Sequence, residues 1–212
     1  SGPIDVYNLA LEKTPASYDI PHMFKAYTQY ELPIGRGKAF GGGMNKWLDA
    51  LVGGWNISGI LNYFNGAPLG FGGATSPLTG AWNGGQRPNI AAGDMKASTW
   101  NRDNFDFATI MNPSNTYQNK SLFSDPGALR LGTAALRYSQ IRNFGTVMED
   151  FGLLKYVRFN ERMNVQIRCE MLNAFNRHQF GGIQTSVTNA QFGQVTSISG
   201  NRSIQLGARF QF

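Results

Sequence analysis

Few residues of this 212-residue chain could support catalytic or metal chemistry. The chain contains one cysteine, Cys169, and two histidines, His22 and His178. A single cysteine excludes an internal disulfide and a Cys-x-x-Cys metal site, and two distant histidines disfavour a multi-histidine centre. We interpret Cys169 as a small residue on an apolar strand face and both histidines as structural or solvated residues. No nucleophile, histidine and acid occur at a suggestive spacing, so we expect neither enzymatic activity nor a cofactor.

One short motif is similar to a phosphate-binding loop. Gly35-Arg36-Gly37-Lys38 lacks the Gly-Lys-Ser/Thr order and a following helix in register, so it predicts a turn. The net charge of +6 is spread along the chain without a dense basic run. Nucleic-acid binding would require a basic cluster with interleaved aromatic residues, so we expect no nucleic-acid partner.

Alternation of polar and apolar residues with a period of two is the strongest pattern in the chain. After Arg202, the apolar side chains up to Phe212 fall at even positions and the polar residues at odd positions. Similar alternation occurs in four earlier segments. The pattern predicts strands at 20–32, 55–64, 142–159, 162–176 and 202–212. The very short link Asn160-Glu161 predicts an antiparallel hairpin between the third and fourth strands.

Charged side chains recur on the polar faces of these predicted strands. Lys25 and Glu31 share one face of the first strand, and Arg168 and Glu170 share one face of the fourth. Arg209 lies on the polar face of the last strand. We interpret these five residues as charges that line a lumen, rather than as an acid–base pair.

Helical spacing is scarce, and two long segments show no sustained period. Four apolar residues between Met44 and Leu51 fall at helical spacing before Gly53-Gly54, which predicts one short amphipathic helix that connects two strands. Residues 65–141 and 177–201 are rich in Gly, Asn and Ser, and we expect them to form long, extended loops. A long irregular stretch of this kind argues against a compact soluble domain.

Two environments suit strands with one apolar and one polar face: a soluble sandwich and an outer-membrane barrel. The strand lengths match the roughly 9–11 residues that a tilted transmembrane strand needs. Very short links alternate with very long ones, and aromatic residues cluster at strand ends, as in membrane barrels. Lys155, on the apolar face near the predicted hairpin, would extend its amine to the membrane interface. These features favour the barrel.

The last strand carries a specific terminal pattern. Gln205 and Gly207 precede two aromatic residues, Phe210 and Phe212, which are two positions apart, and the second ends the sequence. This pattern resembles the C-terminal β-signal by which assembly machinery recognises outer-membrane barrels.

Several further motifs occur in order along the chain. They are Asp19-Ile20-Pro21-His22, residues 30–38, residues 53–59, Arg87-Pro88-Asn89, Glu161-Arg162-Met163, Asn173-Ala174-Phe175-Asn176, Phe192-Gly193 and residues 202–207. Over most of its length the chain therefore resembles the C-terminal β-barrel part of TonB-dependent outer-membrane receptors. The resemblance is to the carboxypeptidase-regulatory-like, or Oar-like, type of receptor.

The resemblance implies an all-β antiparallel transmembrane barrel of about 22 strands, of which this chain would supply about five. It implies TonB-driven uptake of scarce nutrients such as iron chelates, cobalamin or glycans, and this part would not be transport-competent alone. Because the C-terminus of such barrels lies on the periplasmic side, the alternation of strands places residues 33–54 in the periplasm. Residues 65–141 and 177–201 would then be extracellular.

Five strands cannot close a barrel, so the two outer strands need partners. The remaining strands and plug of the receptor would complete it, with TonB contacted only through the N-terminal region, and lipid or lipopolysaccharide around it. Alternatively, identical copies pair edge to edge into a ring, tube or fibre, as a structural self-assembling protein, which would be extracellular if it forms outside the membrane. A soluble β-sandwich carbohydrate-binding module is the second alternative.

Overall fold

The computed structural model describes residues 3–74, 86–110, 112–127, 130–160 and 163–212. The chain is divided into two compact units. The sheet unit comprises Met23–Phe64, Thr146–His178 and Gly200–Phe212. The loop unit comprises Ser1–His22, Asn65–Gly145 and Gln179–Ser199.

Five long strands form one antiparallel sheet in the sheet unit. They are β1 (Met23–Glu31), β2 (Trp55–Phe64), β3 (Thr146–Arg158), β4 (Asn164–Leu172) and β5 (Ser203–Gln211). Each strand pairs with the next in this order, and every pair is antiparallel. The predicted all-β antiparallel architecture is confirmed, and its basis is the alternation of polar and apolar side chains.

The structure corrects the predicted third strand, 142–159. The segment Tyr138–Arg142 forms a separate short strand that pairs with Pro68–Leu69 in the loop unit. Its last residue, Arg142, binds the carboxylate of Asp19 at 2.6 Å. Residues 143–145 then leave the strand conformation before β3 begins.

Two other strands are shorter than predicted. β1 begins at Met23 rather than at residue 20, because Pro21 has no N–H to donate to a ladder. β4 ends at Leu172 rather than at residue 176, because Asn173 adopts a left-handed conformation with φ 50°. Glu161 and Arg162, which belong to the predicted hairpin and fourth strand, lie outside the described residues.

The predicted connector helix is present as α1 (Lys46–Val52). It begins at Asn45, whose side chain accepts a hydrogen bond from the N–H of Leu48, and it ends at Gly53. Both ends therefore satisfy backbone groups that a short helix leaves unpaired. Within the described residues, no helix combines the length and the hydrophobicity that a membrane-spanning helix needs.

Short elements make up the loop unit. Among the residues described, its 3-10 turns include Leu9–Glu12, Arg102–Asn104, Pro113–Asn115 and Lys120–Leu122. Besides the pair already given, its short antiparallel ladders join Asn89–Ile90 to Phe123–Ser124 and Gln179–Phe180 to Ile198–Ser199. The described parts of 65–141 and 177–201 are therefore irregular segments that contain short turns and two-residue ladders.

Two small clusters form the core of the loop unit. One buries Phe71, Ile141 and Phe192, and the other buries Phe105, Phe180 and Val195. Large aromatic side chains each remove a large apolar area from water, so a few of them stabilise a segment that has no regular period. This packing gives the irregular segments a core of their own.

Fully buried polar side chains also hold the loop unit together. The Asn115 side chain accepts a hydrogen bond from the N–H of Asp106 at 2.8 Å, and its amide lies 2.8–3.1 Å from three backbone carbonyls. Arg87 is 5% exposed; it donates to the carbonyls of Leu11 and Ala134 and pairs with Glu12. Because buried polar groups are costly unless they are paired, these networks fix one arrangement of the turns around them.

Candidate functional site

The register of the sheet assigns each strand residue to one of two faces. Directly opposed residues on antiparallel neighbours project to the same side. One row across the sheet joins Tyr30, Ile57, Leu153, Cys169 and Leu206. The adjacent row joins Gln29, Ser58, Gly152, Glu170 and Gln205. We call the face of the first row the apolar face and that of the second row the polar face.

All five charged residues that the sequence assigns to a lumen lie on the polar face by this register: Lys25, Glu31, Arg168, Glu170 and Arg209. The guanidinium of Arg168 lies 3.8 Å from the carboxylate of Glu170, and both side chains are about half exposed. Glu31 pairs at 2.9 Å with Lys38, which lies in the segment between β1 and α1. Lys25 and Arg209 face the amides Asn62 and Gln166 across the ladder. The polar face therefore combines two exposed ion pairs with two cations that face amides.

The residues of the predicted assembly signal divide between the two faces. Gln205 and Gly207 lie on the polar face, opposite Glu170 and Arg168. A Cβ at Gly207 would lie 3.6 Å from Nε of Arg168, which is an ordinary contact distance. Phe210 lies on the apolar face, and its ring stacks on that of Phe212 at 5.7 Å. Phe212 is 93% exposed, which leaves the terminal aromatic pair open to a partner.

The apolar face contains a buried acidic residue that no pattern in the sequence indicates. Glu149 is 1% exposed. Both of its carboxylate oxygens lie 2.8 Å from Nε of Arg177, and the hydroxyl of Tyr63 donates to it at 2.9 Å. The carboxylate beside Arg177 raises the pKa of that guanidinium. The buried charge of Glu149 on the apolar face is therefore balanced by the Arg177 guanidinium and the hydrogen bond from Tyr63.

Lys155 is the second charge on the apolar face. The sequence predicts that its amine extends to the membrane interface, but the residue is 5% exposed. Its Nζ donates to the carbonyl of Gly53 and lies 5.1 Å from the ring centroid of Trp55. Gly53, at the end of α1, thus supplies the hydrogen-bond acceptor, and Trp55, at the start of β2, supplies the aromatic face.

An asparagine-based turn follows β4 and explains one of the motifs in the sequence. Asn173 and Asn176 both have left-handed backbones, with φ 50° and 52°. The Asn173 side chain accepts from the N–H of Arg177 at 2.9 Å and donates to the carbonyl of Gly200. Asn176 accepts from the N–H of Arg202 at 3.1 Å. The turn thus brings Arg177 to the buried carboxylate and fixes the start of β5, which asparagine does well because it tolerates this conformation.

The other sequence candidates occupy structural positions. Cys169 is a half-buried free thiol on the apolar face, and His22 is exposed beside β1. At Gly35-Arg36-Gly37-Lys38 the N–H of Arg36 donates to the Asp49 carboxylate at 2.7 Å. An amide that would face an anion in a phosphate loop is thus already bound to a carboxylate. In the described part of the chain, no group of three or more His, Cys, Asp or Glu residues could hold a metal ion.

Each unit contains a cavity. The connector cavity, of about 320 Å³, is lined by both signs of charge, including Glu31, Asp49, Arg36, Lys38 and Arg158. The aromatic cavity, of about 240 Å³, lies in the loop unit. Its lining includes Lys96, Trp100, Arg102, Tyr117, Phe144 and Phe180. These residues have no common spacing, so the density of aromatic residues was the only signal that could have indicated the cavity.

The comparisons with known proteins agree with the geometry of the sheet. Residues 1–205 match the family described as outer membrane beta barrel domain. No curated protein matches the chain, and no solved structure matches it. A sheet with one apolar and one polar face is the geometry that a membrane barrel wall requires. The chain therefore belongs to the outer membrane β-barrel domain family, whose location is the bacterial outer membrane.

Proposed function

We propose that the chain is the C-terminal part of a TonB-dependent receptor barrel that takes up nutrients. The observation that supports this proposal most directly is the open sheet. Within the described residues, β1 and β5 are the outer strands, and each pairs on one side only. Unpaired backbone groups in lipid cost several kcal/mol each, so both edges need further strands. The remaining strands of the receptor would supply them.

In this proposal the two faces of the sheet contact different environments. The apolar face meets lipid and lipopolysaccharide, and the polar face, with its amides and paired charges, lines a hydrated lumen around the plug. The connector, residues 33–54, lies on the periplasmic side, and the long segments 65–141 and 177–201 lie outside the cell. The role is binding and passage of a nutrient rather than catalysis, and no nucleic acid is involved.

In this proposal, transport also requires other parts of the receptor. The plug and the TonB-contacting segment belong to its N-terminal region, so energy from TonB reaches this part only through them. Pairing of β1 and β5 with identical copies, in a ring or fibre, is the alternative that the open edges also support.

Insertion of a terminal variant tests the barrel assignment. We expect Phe212→Ser to reduce outer-membrane insertion several-fold, because the exposed ring would be the element that the assembly machinery recognises. Phe159→Ser is the matched control, since Phe159 is also an exposed aromatic residue but lies in the hairpin. The inserted fraction is measured by heat-modifiable migration in gels. Equal insertion of both variants would contradict the assembly role.

A second measurement separates the receptor from the self-assembling alternative. Cells that carry the whole receptor are grown on limiting nutrient with and without functional TonB. Receptor function predicts that growth depends on both proteins. If the purified chain instead sediments as large particles without detergent, and growth does not depend on TonB, self-assembly is the correct function.

A further inference from the structure

The short helix α1 turns its apolar side chains away from the protein. Trp47 and Leu51 lie one helical turn apart, as do Leu48 and Val52, so these four side chains form one stripe along the helix. We call these four residues the helix stripe. Trp47 is 87% exposed and Leu51 is 72% exposed, and the other two are exposed as well. A helix on the surface of a soluble protein normally directs such a stripe into the core, so α1 has the reverse orientation.

The polar side of α1 faces the rest of the sheet unit instead. The Asp49 carboxylate accepts the N–H of Arg36 at 2.7 Å, and both Asp49 and Ala50 line the connector cavity. A Cβ at Gly35 would lie 2.8 Å from Oδ1 of Asp49, closer than real Cβ contacts, so Asp49 is packed tightly against this turn. Asp49 is the one acidic residue of the helix. The outward side of α1 therefore carries no carboxylate.

The end of α1 is attached to the apolar face of the sheet. Trp55, the first residue of β2, lies on that face opposite Lys155. Its indole N–H donates to the carbonyl of Leu51 at 3.3 Å, and the Lys155 amine donates to the carbonyl of Gly53. Two side chains of the apolar face thus hold the C-terminal end of the helix, so α1 adjoins that face.

Membership of the barrel family identifies what the apolar face contacts. In outer-membrane barrels the outward apolar face lies against lipid, and aromatic and basic residues are enriched at the membrane interfaces. Trp47 supplies such an aromatic residue, and Lys46, which is exposed at the start of the helix, supplies a basic one. Amphipathic helices with these residue types lie in the plane of the membrane surface, with their apolar side at the boundary of the acyl chains.

We propose that α1 lies in the interfacial layer of the outer membrane, with the helix stripe among phospholipid chains and Lys46 at the phosphate headgroups. The helix would fix the depth of the barrel wall at the end where β1 leads to β2. By the topology of the proposed function, this is the periplasmic leaflet. The inference goes beyond the proposed function, because it requires membership of the barrel family and not nutrient uptake.

The depth of a spin label in the membrane tests this proposal. The full chain is reconstituted in vesicles of phosphatidylethanolamine and phosphatidylglycerol, with Cys169→Ser so that one label can be attached. Leu51→Cys places a nitroxide in the helix stripe, and Lys46→Cys is the matched control on the opposite side of the same helix. Oxygen dissolves in lipid, whereas a nickel chelate stays in water. We expect the ratio of relaxation by oxygen to relaxation by the chelate to be about five-fold or more higher at position 51.

Each occupant of the helix stripe gives a different result at position 51. Lipid gives high exposure to oxygen and low exposure to the chelate. Contact with protein, such as a second copy, would exclude both reagents, and water would admit both. Either of the last two results overturns the proposal, as does a similar ratio at positions 46 and 51.

A substitution in the helix stripe provides a second test. With the label at position 51, Trp47→Gln is expected to lower the oxygen-to-chelate ratio about two-fold or more, because the largest interfacial side chain no longer holds the helix in lipid. Phe40→Gln is the matched control, since Phe40 is an exposed aromatic residue of the same connector outside α1. Both side chains are exposed, so neither replacement threatens folding. Equal ratios in the two variants would overturn the role of the stripe.

This proposal and the proposed function fail separately. The depth measurement requires neither TonB nor transport, so a label in water together with growth that depends on TonB overturns the helix anchor alone. A label in lipid together with growth that does not depend on TonB overturns the receptor function and leaves the helix anchor standing.

Discussion

The sheet unit and the loop unit are ordered by different means. In the sheet unit, long uninterrupted ladders join five strands, and the ion pair of the polar face, Arg168 with Glu170, is exposed. In the loop unit, single side chains such as Asn115 each hold several turns at once. We therefore expect the sheet unit to tolerate single substitutions of its exposed polar residues. We expect the loop unit to lose stability when one of its few buried polar side chains is replaced. Single substitutions in the two units test this difference.

The largest loss of stability is expected from replacement of Asn115. The change Asn115→Ala leaves the N–H of Asp106 and several carbonyls without their partner in a fully buried site, which we expect to cost about 3 kcal/mol. Asn101→Ala is the control, because Asn101 caps a 3-10 turn through one exposed bond to Asp103. The measurement is the free energy of local opening, from hydrogen exchange of the surrounding amides. Equal protection in both variants would remove the distinction between the units.

A smaller effect is expected from the buried acidic residue of the sheet. We expect Glu149→Ala to lower the free energy of unfolding by about 2 kcal/mol, because charged hydrogen bonds to Tyr63 and Arg177 are lost. Glu170→Ala, on the polar face, should change it by less than about 0.5 kcal/mol. Unfolding in detergent with guanidinium measures both. A cost at Glu170 equal to that at Glu149 would show that the polar face is less tolerant than its exposure indicates.

Acid should weaken the loop unit through Glu12. Burial acts to raise the pKa of Glu12, but the N–H of Ile4 and the guanidinium of Arg87 outweigh it and hold the pKa below its ordinary value of 4.5. The folded state thus binds fewer protons than the unfolded state, so the stabilisation is complete above pH 4.5 and is lost as the pH falls through the lower, folded pKa.

The variant Glu12→Gln isolates this pH dependence. It should cost about 1 kcal/mol at neutral pH and should flatten the loss of amide protection in acid. Glu31→Gln, in the sheet unit, should leave the acid response of the loop unit unchanged. An unchanged acid response in Glu12→Gln would contradict the assignment.

The smallest effect is expected in the connector. Lys38→Met removes the pair with Glu31, and both side chains are substantially exposed. We expect a change below about 0.5 kcal/mol, measured by guanidinium unfolding in detergent, because water and salt screen such pairs. A clearly larger loss would show that this pair, rather than the helix caps, fixes the connector.

The sheet can be predicted from the sequence because each strand is specified by a local, repeated alternation of polar and apolar residues. Alternation assigns Phe210 to the apolar face and Arg168 to the polar face, and the register places both as expected. The short helix is equally predictable, since apolar spacing and Gly53 define it. In each case, neighbouring residues carry the information.

The rest of the molecule depends on pairs that are distant in sequence. The sequence around Glu149 does not indicate that Tyr63 and Arg177 contact it. Likewise, the sequence around Arg87 does not indicate that Glu12 is its ion-pair partner. The aromatic cavity likewise joins Lys96 to Phe180. Such contacts carry no periodic signal, so a single sequence cannot reveal which polar residues in an irregular segment will be buried together.

The uninterrupted register has a consequence for how the gene can change in length. Insertion of one residue within any of the five strands would exchange the faces of every later position in that strand, and would turn charges toward the apolar side. Insertions in the segments between strands carry no such parity. Length variation among natural homologues should therefore collect in those segments, and any indel that persists inside a strand should involve an even number of codons.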